Sequence, residues 1–170
     1  MDVVCDLEGL DDDLKYLVTS FKILGILSIS APSYKENFQM EIPESIYSLN
    51  LSFSSFIGYE QFQKLKQQEI ILRGAILTDQ EINRFLKSWM SRESHLELKL
   101  FQIRISGPEA KDVIMDVPHE VTTDPSVVEM LNGQFRYSNI ECGYNIKRSD
   151  GKTATVCFGN RFDMLYMIVY

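Results

Sequence analysis

Leu77 to Met90 reads LTDQEINRFLKSWM, and this stretch decides the fold because it holds a helix start and a one-sided apolar stripe between two strand-like segments. Thr78 followed by Glu81 has capping-box spacing, in which the hydroxyl accepts from the third helical N–H and the carboxylate takes the N–H of the cap residue. A helix is therefore expected from Asp79. Ile82, Phe85, Leu86, Trp89 and Met90 fall at i, i+3, i+4, i+7 and i+8, a single face of a 3.6-residue period. Gln80, Arg84, Lys87 and Ser88 face the other way, so one side is core and the other water.

The segments around this helix repeat a spacing. Leu24-x-x-Leu27-x-Ile29 recurs as Ile46-x-x-Leu49-x-Leu51, is echoed by Ile70-x-Leu72, and returns as Leu98-x-x-Phe101-x-Ile103. Helical segments are expected between them at Tyr59 to Gln68 and from Asp79 to Met90. Leu27, Leu49, Ile70 and Phe101 are 22, 21 and 31 residues apart, close to the leucine-rich-repeat range except at the last step. Such a unit buries its apolar face only against its neighbours, so the expectation is a short parallel sheet with helices packed on one side. The alternative is βα alternation in an ordinary open sheet.

Upstream, Asp11, Asp12 and Asp13 precede Leu14, Leu17, Val18 and Phe21, placing carboxylates at the positive end of a short helix. A calcium loop fits less well, because the alternating carboxylates, central Gly and terminal Glu are missing. A short helix around Tyr34 to Met40 is a weaker expectation. Beyond Ile105 the pattern fades, with one short helix from Pro108 through Ile114 and another from Pro125 through Leu131, capped by Gly133. The tail is clearer. Tyr144-x-Ile146 alternates into Arg148, Asp150-Gly151 supplies a two-residue hairpin turn, and Ala154, Val156 and Phe158 alternate out. Phe162 to Tyr170 reads as a strand buried on both faces. The fold class is therefore α/β: irregular leucine-rich-repeat-like strand-helix units with a C-terminal β-hairpin and a terminal strand. Residues 1–170 form a single domain, with 1–45 carrying the N-terminal helix and first repeat.

Composition narrows the function. The 170 residues are 45% hydrophobic and 24% charged, which suits one domain with its own core. A formal net charge of −7 argues against nucleic acid, whose non-specific binding rests on clustered Lys and Arg. No apolar run approaches the roughly 18 to 20 residues that span a bilayer, and MDVVCDLEGLDDD is no signal peptide. Cys5, Cys142 and Cys157 are an odd set at unrelated spacings, as for reduced thiols in cytoplasm or nucleus, although a Cys142–Cys157 bridge stays open.

A search for chemistry comes back empty. His95 and His119 stand at no metal-ligand spacing from another His or Cys, and His95, between a helix and a strand, is expected in a solvent-facing loop. Cys142-Gly143 lacks a neighbouring base and reads as a small buried or half-buried thiol. No phosphate loop, nucleophile elbow or dinucleotide fingerprint is present. No catalytic, metal or cofactor-binding residue is expected, the substrate-binding residues are unknown, and no enzyme is expected.

Thr78, Asp79, Glu81, Asn83, Phe85, Leu86, Lys87 and Trp89 together resemble the hallmark of the F-box-associated domain of nematode F-box proteins. The Leu-rich strand after the helix, the basic-Asp-Gly hairpin KRSDGKTAT from Lys147 to Thr155, and the apolar end from Phe162 follow the same order. The resemblance runs from about Ile46 to the C-terminus, and would make 46–170 the F-box-associated domain. It implies a substrate-recognition arm of an F-box (SCF-type) ubiquitin ligase subunit, with a protein substrate as partner and no active site. Met1 to Phe21 departs from the Leu- and Pro-rich F-box, so the ligase adaptor is expected only for a longer form. The alternative is a stand-alone structural or regulatory binding protein with no ubiquitin link. Phe85, Leu86 and Trp89 read as core, and Asn83 as a bond to neighbouring backbone.

Overall fold

The recurring apolar spacing becomes a ladder. In the computed structural model, which describes residues 2–4, 11–20, 25–30, 38–135, 139–159 and 163–170, the strands β1 (Asp2–Val4), β2 (Gly25–Ser30), β3 (Ile46–Leu51), β4 (Glu69–Leu72) and β5 (Leu100–Arg104) lie parallel and in chain order. Leu27 pairs with Leu49, Leu49 with Ile70, and Ile70 with Phe101. Two residues on, Ile29, Leu51, Leu72 and Ile103 form a second row. All eight side chains are buried, because alternate residues of a strand share a face.

Helices α1 (Asp11–Ser20), α2 (Tyr59–Gln63), α3 (Asp79–Met90) and α4 (Ala110–Ile114) bury Leu14, Val18, Phe62, Ile82, Phe85, Leu86, Trp89, Ala110 and Ile114 against this face. The start of α3 is as its sequence dictates. Thr78 Oγ1 accepts from the Glu81 N–H at 3.2 Å and Glu81 Oε2 accepts from the Thr78 N–H at 2.8 Å.

After α4 the chain crosses to the far edge and walks back. β6 (Glu120–Thr122), β7 (Gly143–Lys147), β8 (Thr153–Gly159) and β9 (Met164–Val169) complete a nine-stranded sheet of order β1-β2-β3-β4-β5-β9-β8-β7-β6. The terminal strand is thus central, antiparallel to both β5 and β8, and Met164 to Met167 are buried without a break. Helix α5 (Pro125–Gln134) lies on the opposite face of the sheet from α1 to α4. Its Leu131 packs with Phe135, Ile140, Cys157, Met164 and Tyr166 in a second, smaller core.

The outcome is a mixed α/β fold, with several local corrections. α2 stops at Gln63 instead of reaching Gln68, because the sheet claims the later backbone. The Gln68 N–H donates to Tyr47, and the Gln68 carbonyl accepts from Lys99 and Leu100. α5 runs through Gly133 to Gln134 and has Phe135 as its C-cap, so Gly133 is no cap. Asn132 secures the segment after α5 by exchanging two 2.8 Å hydrogen bonds with the backbone of Ile140. The hairpin loop has three residues. The Gly151 N–H returns to the Arg148 carbonyl, Arg148 N–H donates to Lys152, and Gly151 alone takes a positive φ, +96°, a tight turn followed by a glycine bulge. Of the suggested helix at Tyr34 to Met40, residues 34–37 lie outside the described set and Phe38 to Met40 are not helical. The apolar pattern marks neither β1 nor β6.

Gly143 is where α5 meets the sheet. A Cβ there would stand 2.5 Å from Thr155 Cγ2, 3.3 Å from Thr122 Cγ2 and 3.5 Å from Leu131 Cδ1. Thr155 cannot turn aside freely, because its hydroxyl donates to Asn145 Oδ1 at 2.7 Å. Gly143→Ala is expected to cost about 1 to 2 kcal/mol by overpacking, with Thr155→Ser restoring most of it. Urea unfolding of the single and double variants checks this, and equal midpoints for wild type and Gly143→Ala would count against it.

Candidate functional site

The residues of the α3 stretch serve the fold. Asp79 accepts from the Ser106 hydroxyl at 2.5 Å. Asn83 donates its amide to the carbonyls of Ile114 at 2.9 Å and Asp116 at 3.1 Å, satisfying the end of α4 as a backbone-bonding role requires. Phe85, Leu86 and Trp89 are fully buried.

Trp89 also meets the hairpin. The Arg148 guanidinium lies 5.2 Å from the Trp89 ring, in cation–π range. It holds both oxygens of Asp150 at 2.9 Å and donates to the Leu96 carbonyl at 2.9 Å. The Ser149 N–H donates to Met90, the last residue of α3. Arg148 holds the Asp150 carboxyl down at about 2. Asp150 is turn chemistry, as its sequence context suggests, and also the fixed partner of a buried arginine, which local reading missed.

The titratable groups fall into three places. His95, expected in a solvent-facing loop, is buried. Its ring stacks on Phe62 at 4.6 Å and meets the edge of Phe85 at 5.1 Å, so the loop is drawn into the aromatic core by its own side chain. Burial lowers its pKa to about 4. His119 is exposed on the surface beside Tyr144, its Nδ1 2.8 Å from the Val117 carbonyl. Cys142 is half-buried and its thiol donates to the Tyr144 hydroxyl at 3.4 Å. Burial raises the pKa of that phenol. Cys157 is buried and free, its pKa pushed up to about 12 by burial, so these two thiols form no bridge. Among the described residues no group of three or more His, Cys, Asp or Glu is placed to hold a metal ion, and no helix is long and apolar enough to cross a membrane.

Two surfaces remain. An open groove of about 540 Å³ runs along the water-facing side of α3, lined by Tyr59, Gln63, Arg84, Lys87, Ser88, Ser91 and Glu93. Its cations are engaged, Arg84 over the Tyr59 ring at 5.1 Å and Lys87 with Asp116 at 3.3 Å.

The second surface is the back of the parallel half of the sheet. The positions between the ladder rows point there: Ile26 and Ser28 of β2, Ser48 (buried) and Asn50 of β3, Glu69 and Ile71 of β4, Gln102 and Arg104 of β5. Helix α5 covers the same side only across the antiparallel half, reaching no further than Leu100 and Ile168 at its margin. Ile26 is 52% exposed, Asn50, Ile71 and Gln102 are half-buried, and Arg73 and Arg104 are exposed. The period-2 pattern exposes these residues to a reader of the sequence. What it does not tell is where α5 ends.

A protein-family model described as F-box associated matches residues 37–103. That stretch contains β3, α2, β4 and α3 and reaches into β5, so it begins ahead of Ile46 and leaves the hairpin and terminal strand outside. No curated protein matches the chain, and no solved structure does.

Proposed function

We propose that this chain recognises a protein, and that it does so as the substrate-binding arm of an F-box ubiquitin ligase subunit of the SCF type. The F-box-associated match over residues 37–103 supports a protein-interaction role. The observation that carries the reading is that this same stretch builds a sheet closed by helices on one side and, among the described residues, without a helix on the other. Apolar and polar side chains alternate over the open face, with Ile26 exposed and Ile71 half-buried among them. The in-register rows Leu27–Leu49–Ile70–Phe101 support a leucine-rich-repeat-like description of the parallel half, in which stacked units present one continuous strand surface. The reading assigns binding and no catalytic step, an intracellular setting, and the nematode F-box setting that the motif residues resemble. Contact with the ligase adaptor would rest on an F-box.

The test compares residues 1–170 with an Ile71→Asp variant as baits. Proteins captured by the first and lost by the second are the expected partners. Fusing each bait to a functional F-box should shorten the half-life of those partners in a proteasome-dependent manner with the wild-type face only. Identical capture by both baits would remove the back face from the proposal, and unchanged half-lives would remove the ubiquitin link.

A further inference from the structure

Arg73 and Arg104 stand side by side on the open back face. Leu72 pairs with Ile103 in the β4–β5 ladder, so the next residues of the two strands are neighbours, and the Arg73 N–H extends the pairing by donating to Leu51. Like charges at such neighbouring positions repel. Arg73 reaches Asn50 Oδ1 at 3.0 Å, a neutral acceptor that leaves its charge uncompensated. No ion pair among the described residues involves either arginine. Asp163, beside the Arg104 ladder partner Met164, uses its carbonyl to accept from Ile105 and forms no ion pair with Arg104. Among the described residues of these strands, Glu69 is the acid on this face, roughly 13 Å from Arg73 along β4.

Two adjacent cations with no acid between them among the described residues are unexpected in a chain of net charge −7. Each guanidinium offers a planar fork that fits a carboxylate. Beside them Ile71 presents apolar surface, in one row with Asn50 of β3 and Ser28 of β2. We propose that this face docks an acidic segment of a partner protein, with carboxylates on Arg73 and Arg104 and an apolar side chain seated on Ile71. The inference rests on the protein-recognition reading above and names the chemistry of its partner.

The probe is a fluorescein-labelled twelve-residue peptide of alternating glutamate and leucine, titrated against the full chain, with a lysine-leucine peptide as counterpart. Binding of the acidic peptide alone is expected, weakening as salt is raised. Arg73→Glu with Arg104→Glu is expected to weaken it by about tenfold or more, while Arg84→Glu in the α3 groove leaves it unchanged. Arg73→Gln with Arg104→Gln should weaken binding and also raise the melting temperature by about 1 to 3 °C through relief of the repulsion. A merely structural role for the two arginines would move stability the other way. Equal binding of both peptides, or equal loss with Arg84→Glu, would overturn the proposal. If the acidic peptide fails while Ile71→Asp still removes partners from the bait, the acidic partner is wrong and the recognition face stands. If both fail, the recognition reading falls with it.

Discussion

Trp89→Ala is expected to destabilise the chain by about 3 to 5 kcal/mol, the range for removing a large aromatic side chain from a core. The indole is fully buried, so truncation loses its transfer free energy and leaves a cavity between α3 and the hairpin. A second loss comes from Arg148, itself buried, which lies over the ring at 5.2 Å and would face a void. Its bonds to Asp150 and to the Leu96 carbonyl remain, so the guanidinium is not orphaned outright and the hairpin should persist. The indole Nε1 is buried without a hydrogen-bond partner, so Trp89→Phe removes an unpaired donor and should cost less than the alanine variant. A double-mutant cycle of Trp89→Phe with Arg148→Met isolates the ring–cation contact, for which about 1 kcal/mol of coupling is expected. Urea unfolding reads all of these, and an unchanged midpoint for Trp89→Ala would mean that α3 does not anchor the hairpin.

That anchoring shows where sequence reading reaches and where it stops. The start of α3 is encoded within four residues, Thr78 to Glu81, and its buried face within twelve, so both are legible from local spacing. The ladder rows are legible because Leu27, Leu49, Ile70 and Phe101 repeat a spacing that parallel neighbours must share. Arg148 is different. A basic residue before Ser-Asp-Gly reads as an exposed hairpin flank, and the groups that bury it, Trp89 and the Leu96 carbonyl, lie on another part of the chain. β6 was missed for a related reason: Val121 is 60% exposed, so the strand carries no apolar signature and exists because Tyr144 and its neighbours offer it an edge. The end of α2 was misjudged because helix propensity is local, whereas the competing demand of β3 and β5 for the Gln68 backbone is not. The back face was written in the alternating positions from the start. Its openness depends on α5 covering only the antiparallel half, a tertiary fact with no local mark.

His95 brings the same lesson to a measurable end in the pH dependence of stability. Its Nε2 lies 3.2 Å from the Phe62 carbonyl and carries the proton, while Nδ1 is buried with no partner. Protonating Nδ1 would place a second donor, with a full charge, against aromatic rings. Desolvation is the main cause of the fall in pKa from 6.5 to about 4, opposed by the Phe62 hydrogen bond and reinforced by Lys66. The folded state therefore stays neutral while the unfolded chain gains a proton at ordinary histidine pKa. The stability this contributes is complete above pH 6.5 and is lost as pH falls toward about 4. A gap of this size corresponds to about 3 kcal/mol across the window. Asp150, held at about 2 by Arg148, acts in the same direction, but its loss begins only below the ordinary carboxylate pKa of 3.8, so the two windows separate. Urea midpoints for the wild type should differ little between pH 7.5 and 6.5 and descend at pH 5.5 and 4.5. In His95→Gln, which is less stable but cannot titrate, they should stay level over the same interval. A wild-type midpoint that holds from pH 7.5 to 4.5 would mean that the ring accepts its proton in place, and that the aromatic cage around it opens to water without unfolding the sheet.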